Sequence, residues 1–186
     1  GSTVFWCNTL TAVDGCASPA STLVTALDDT ARRIAINDSY LFIGLANGQI
    51  VKTTTDAPEE RPPFYAPTSP SVATSLLGMA ASSQALHWVS GGKGLYRKFA
   101  ADDASKTDVA EPLSPGNFAG LQVVKGVAYV LDQDDGQLYR YVADSPAPLL
   151  AEVGPKQADA TAFVVDAANQ HAYVAGSNGE IRHLAF

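Results

Sequence analysis

The chain has 186 residues, 46% of them apolar and 17% charged, with a formal net charge of −7. This is enough apolar material for one globular domain and excludes a disordered chain. The acidic balance argues against nucleic acid, which needs a basic face, and apolar runs such as Leu76–Ala81 fall far short of the roughly 20 residues that cross a bilayer.

The first elements in chain order are an apolar run, Val4–Cys7, a turn at Asp14-Gly15, and a strand over Thr22–Leu27. The opening Gly1-Ser2 reads as a cloning remnant, so an export signal is not expected within the chain. Cys7 and Cys16 stand nine apart, and two thiols alone cannot close a tetrahedral metal site. A disulfide closing a small loop is the expected state in an oxidising compartment; two buried free thiols are the alternative.

Four segments then repeat one pattern: an alternating apolar strand, a turn with glycine, and a second alternating strand. They are Tyr40–Lys52, Leu86–Lys98, Val127–Arg140 and His171–His183. Their turn glycines, Gly48, Gly94, Gly136 and Gly179, are spaced by 46, 42 and 43 residues. Before each hairpin comes an apolar strand: Arg33–Asn37, Leu76–Ala80, Leu121–Val124 and Thr161–Val165. A weaker strand follows at Phe64–Ala66, Val109–Leu113 and Leu149–Val153. No segment holds a helical period.

Four short strands in each repeat of roughly 40–50 residues is the arithmetic of a β-propeller blade. The expectation is an all-β protein: a propeller of four-stranded blades in a single domain over 1–186, with the ring closed by the N- and C-terminal strands. Blade-like units fall at 3–30, 31–71, 72–115, 117–154 and 159–186. That gives five blades with a thin first one, or four blades plus an extra hairpin.

Two registers recur within the repeat. Counting back from the turn, an aromatic residue recurs at Trp6, Trp88, Tyr129 and Tyr173, with Ile43 in the remaining copy. Four residues after the turn glycine stands a base: Lys52, Lys98, Arg140 or His183. These bases read as long stems over blade faces with their heads in water.

Segments such as Ser2–Asn8, Arg33–Ile43 and Gly48–Lys52 resemble the repeats of secreted, often lipid-anchored propellers of the myxobacterial type, near the NHL-repeat and gluconolactonase-like propellers. Asp38 and Asp166 keep the acidic residue of that repeat, while Ala81 and Lys125 depart from it. The resemblance implies an extracytoplasmic binding scaffold in the periplasm, at the outer membrane surface or secreted. Any lipid anchor would belong to the full-length protein. Fold alone carries no chemistry.

Sites for chemistry are few. A gluconolactonase-like channel metal would draw on Asn37, Asp38, Asn117 and Asp166, and these also fit plain turn positions. Asp132, Asp134 and Asp135 open like a calcium loop, but the twelfth position, which the EF-hand reserves for a bidentate acid, is Ala143. A surface calcium site at those three carboxylates is the weak candidate; otherwise no cofactor is expected. No nucleophile elbow occurs.

The favoured function is therefore a non-enzymatic binding module that takes a protein or another extracellular ligand on the loops at one end. Arg32, Asn117, Phe118, Lys156 and Gln157 are the groups expected to grip it. The alternative is a metal-dependent, lactonase-like hydrolase with its site in the central channel. The cysteine reading has its own test: thiol titration of the denatured, unreduced protein should find no free thiol, and two per chain would refute the Cys7–Cys16 bond.

Overall fold

The computed structural model describes residues 4–6, 21–24, 27–54, 62–67, 76–91, 94–102 and 110–186, the first two segments as backbone only. Cys7 and Cys16 lie outside these residues. A short antiparallel pair, β1 (Val4–Trp6) and β2 (Ser21–Val24), comes first. Blade 1 is β3 (Ala31–Ile36), β4 (Tyr40–Leu45), β5 (Ile50–Thr54) and β6 (Pro63–Tyr65). Blade 2 is β7 (Leu76–Ala81), β8 (Ala85–Ser90), β9 (Gly94–Phe99) and β10 (Glu111–Ser114). Blade 3 is β11 (Phe118–Val124), β12 (Val127–Asp132), β13 (Leu138–Val142) and β14 (Ala151–Val153). Blade 4 has three strands, β15 (Ala160–Asp166), β16 (His171–Gly176) and β17 (Ile181–Ala185). Every sheet pairs strands that are consecutive in the chain, all antiparallel, which makes each one a meander. The inner strands β3, β7, β11 and β15 lie side by side in that order.

Successive side chains of a strand point to opposite faces. In β8 Trp88 faces blade 1, packed with Phe42, Ile50 and Phe64, whereas Val89 faces blade 3, packed with Phe118, Leu121 and Val130. All six residues of β8 are consequently buried, as in a sheet covered on both sides. A third cluster joins blades 3 and 4 through Leu131, Leu138, Val153, Ala172, Val174 and Leu184. The core is thus a series of apolar layers between blades.

The arc ends where this layering ends. The face of blade 4 away from blade 3 shows Val164, Tyr173 and Ile181, the last 71% exposed. At the other end Ile34 and Ile36 of β3 are exposed, while Leu27 helps to cover Leu41, Ile43, Leu45 and Val51. Tyr173, at the recurrent aromatic position, is 40% exposed, because among the described residues no fifth blade lies over it.

Strand pairing also corrects both sequence registers. Through their inner-strand partners, Phe42, His87, Tyr129 and Tyr173 occupy one position. Trp88 falls instead with Ile43, Val130 and Val174 on the opposite face. Counting from the glycine misleads because the turns differ in length. Opposite the first set on the third strands stand Lys52, Arg97, Arg140 and His183, so Arg97 replaces Lys98.

Three of these bases reach the next blade, whereas His183, on the last blade, is exposed. Lys52 Nζ donates to Ala100 O of blade 2 at 2.7 Å, and Arg97 Nη1 donates to Ala143 O of blade 3 at 3.3 Å. The Arg140 guanidinium lies 5.5 Å from the Phe186 ring centre of blade 4. Ala100, Ala143 and Phe186 each follow a third strand directly, so one contact recurs at three junctions. Lys98 is buried as well, with its ammonium 5.1 Å from the Phe64 ring centre.

The four turn glycines all have positive φ, from 70° at Gly136 to 125° at Gly94, as such hairpins require. Gly136 has a second reason: a Cβ there would meet Gln157 O, in the loop into blade 4, at 1.9 Å. Nothing lies within 4 Å of a Cβ on Gly179, the turn glycine of the last blade.

The two aromatic positions should therefore separate in stability measurements. Trp88→Ala empties a buried site between two blades and should cost about 3–5 kcal/mol in denaturant unfolding. Tyr173→Ala, on the uncovered face, should cost under about 1 kcal/mol; equal losses would mean that Tyr173 is covered in solution.

Candidate functional site at the channel mouth

In blades 1, 3 and 4 the end of the loop entering the inner strand lies beside the turn between the second and third strands. Three blades fix this arrangement the same way. The carbonyl just before the inner strand accepts a backbone hydrogen bond from the turn: Thr30 O from Ala46 N at 2.8 Å, Asn117 O from Gln133 N at 2.8 Å, and Asp159 O from Ser177 N at 2.9 Å. Gln157 N donates to Gly136 O at 2.9 Å and so ties the loop of blade 4 to the turn of blade 3.

The residues expected to grip a partner are mostly spent on this framework. Phe118 is 1% exposed and packs between blades 2 and 3, so it is a core ring and not a contact. Gln157 is 2% exposed; its amide, oriented by its neighbours, donates to Val174 O at 3.0 Å and accepts from Gly176 N at 3.1 Å. Burying an amide requires such partners, which removes it from any ligand. Asn117 Nδ2 donates to Asp134 Oδ1 at 3.2 Å. Lys156 is exposed and pairs with Asp135 at 2.6 Å. Arg32 is exposed on the inner strand.

The three aspartates serve their own turn. Asp132 Oδ1 accepts from Asp134 N at 2.9 Å, and Asp135 Oδ1 accepts from Gln137 N at 2.9 Å. The Lys156 ammonium, hydrogen-bonded to Asp135, holds that carboxyl below its ordinary range. Among the described residues no three acids, histidines or cysteines are grouped to hold a metal ion. Asn37 and Asp166 lie at the opposite end of the blades, accepting turn hydrogen bonds from Tyr40 N at 2.9 Å and Ala168 N at 3.1 Å respectively.

Between the inner strands is a cavity of about 300 Å³, lined by Arg33, Leu77, Gly78, Met79, Ala119, Gly120, Leu121, Gln122, Thr161, Ala162 and Phe163. Its wall has a repeated cause. Each inner strand breaks register at the same place, between Ala31 and Arg33, Leu76 and Gly78, Phe118 and Gly120, and Ala160 and Ala162. Such an extra residue bends a strand away from its straight path. Four bends at one level open the channel at the end where the loops meet. Nothing in the strand alternation marks these bulges, and the sequence reading passes over Arg33, Gln122 and Thr161.

A second polar group lies away from the channel, between blades 2 and 3. His87 Nδ1 and the Tyr141 hydroxyl are 3.0 Å apart, and Ser82 Oγ donates to Asp144 Oδ1 at 2.5 Å. Serine, histidine and aspartate here do not form a nucleophile set. His87 Nε2 is 3.5 Å from Ser82 Oγ, and both residues are buried, where no substrate reaches them. Arg97, also buried, pairs with Glu111 at 2.6 Å. The group is a buried polar seam across the blade 2–blade 3 junction.

No protein-family model matches the chain, and no curated protein matches it. Solved structures do. The chain is similar to the computationally designed Ika4 protein, at TM-score 0.60 and 10% identity, over 87% of this chain and 95% of that one. It is similar to the WD40 β-propeller domain of Doa1, at TM-score 0.60 and 17% identity, over 86% of this chain and 52% of that one. It is also similar to the β-propeller domain of Myceliophteria thermophila Cps50 (Swd1), at TM-score 0.60 and 14% identity, over 85% and 52%. The chain thus spans about half the length of those two natural domains. At such identities the likeness establishes the fold, a β-propeller.

The seam predicts a pH dependence. Burial, with the nearby Arg97 charge second, lowers His87 from 6.5 to about 4, against a smaller opposing effect of Asp144. The unfolded chain therefore takes up a proton that the folded one refuses. The His87 contribution is complete above pH 6.5 and falls by about 3 kcal/mol as pH drops from there to 4. Unfolding free energies of wild type and His87→Gln, measured from pH 7 to 4, should diverge by this amount across that range; parallel curves would show that His87 is free to protonate in the fold.

Proposed function

We propose that the chain is a non-enzymatic binding module that takes a protein partner across the end where the loops and turns meet. The observation that carries this reading is the repeated latch at that end. Three entry loops are hydrogen-bonded to the turns of their own blades, and a fourth bond crosses from blade 4 to blade 3. Loops held this way present their side chains on a rigid support, which lowers the ordering cost of binding. Propellers with the WD40 architecture are similar in fold, and interaction scaffolding is the function that this architecture suggests. An extracytoplasmic setting rests on the repeat resemblance and on Cys7 with Cys16.

The lactonase-like alternative needs acids converging on the channel, and none of the cavity-lining residues is a carboxylate.

The test is affinity capture from an envelope extract of the source organism. The double variant Arg32→Glu, Lys156→Glu changes two exposed groups at the proposed end and should weaken capture about tenfold or more. Asn169→Lys, exposed at the opposite end, should leave it unchanged. Capture that is insensitive to the first variant and lost with the second would place the partner elsewhere.

A further inference from the structure

We propose that the channel cavity binds a small monocarboxylate with a short apolar body, anchored by Arg33. This site is separate from the surface proposed for a protein partner.

The inference starts from one departure in the repeat. Directly after the bulge, three inner strands carry Gly78, Gly120 and Ala162, whereas β3 carries Arg33. Gly78 has a packing reason, since a Cβ there would meet Leu121 N at 2.9 Å, whereas one on Gly120 would only touch Phe163 Cε1 at 3.4 Å. An arginine at such a position is not called for by the blade. The glycine opposite is set by blade 2, where a Cβ on Gly44 would meet Leu76 Cδ1 at 2.6 Å. Residue Gly44 pairs with Arg33 where the other blades have Val89, Leu131 and Ala175.

The guanidinium is held and only partly used. Arg33 Nε donates to Leu77 O at 3.2 Å, and Nη1 donates to Arg32 O at 3.0 Å. A guanidinium has about five N–H donors, so with Nε and one Nη1 hydrogen engaged, the remaining Nη1 and Nη2 hydrogens are left for a carboxylate. The other polar groups of the wall are occupied. Gln122 donates to Phe163 O at 3.3 Å and accepts from Val165 N at 3.1 Å, and Thr161 Oγ1 donates to Ala175 O at 3.3 Å.

The rest of the wall selects the ligand. It offers one cation and no carboxylate, so it favours an anion over a metal ion. Leu77, Met79, Leu121 and Phe163 supply apolar surface for a short hydrocarbon body. The chain charge of −7 opposes a polyanion.

The experiment is calorimetric titration of the whole chain with benzoate and hexanoate, with benzamide and inorganic phosphate as controls. Saturable binding of a carboxylate is expected, with benzamide about tenfold weaker or worse and phosphate weaker than either acid. Arg33→Gln should weaken binding about tenfold or more, while Arg32→Gln stays within about twofold. Ala162→Phe, at an exposed position of the wall, should block the cavity and leave Arg33 in place. It gives a second reading if Arg33→Gln fails to fold, as checked by thermal unfolding. No saturable binding of either acid, or binding that survives both Arg33→Gln and Ala162→Phe, overturns the proposal.

Discussion

A blade with apolar residues on both faces is stable only when a neighbour covers each face. β8 states the constraint most plainly: Trp88 and Val89 are adjacent in sequence, point to opposite blades, and are both buried. Burying a large side chain contributes about 1.5–3 kcal/mol, and here each gain belongs to a junction rather than to a blade. Stability is therefore a nearest-neighbour property, as in repeat proteins generally. The same constraint explains the ends of the arc, where Tyr173 and Ile34 occupy positions that the inner blades cover.

Polar contacts give those junctions their alignment. Apolar layers are tolerant of sliding; a lysine or arginine reaching one particular carbonyl is not. Lys52 to Ala100 O and Arg97 to Ala143 O repeat that restraint, and Arg140 over Phe186 replaces the hydrogen bond by a ring contact. At the blade 2–blade 3 junction Arg97 is itself buried, while its partner Glu111 is 44% exposed. Arg97 there needs Glu111 and two backbone carbonyls, Ala143 and Ser145, to offset its desolvation. Removing one member would leave a buried charge without its partner, which is costlier than never having the pair.

The channel end joins two features of different origin. Latches between loops and turns come from backbone groups that need partners once the blades pack. The cavity lies beside four bulges at one level, and Arg33 lines it at the position where the other inner strands carry Gly78, Gly120 and Ala162.

Alternating apolar strands, turn glycines at spacings of 46, 42 and 43, and the absence of any helical period were enough to read a propeller from the residues alone. These are local signals: strand period and turn chemistry act within a hairpin. What faces what was decided between blades. Trp88 and Tyr129 share a count from the turn glycine within one residue yet face opposite ways, because the hairpins differ in turn length and only strand pairing sets the face. Phe118 and Gln157, polar or aromatic residues in surface-like loops, became core and latch when the next blade arrived. Arg33, unremarked in its strand, became the charged group of a cavity because four bulges, invisible to any single repeat, fall at the same height around the channel.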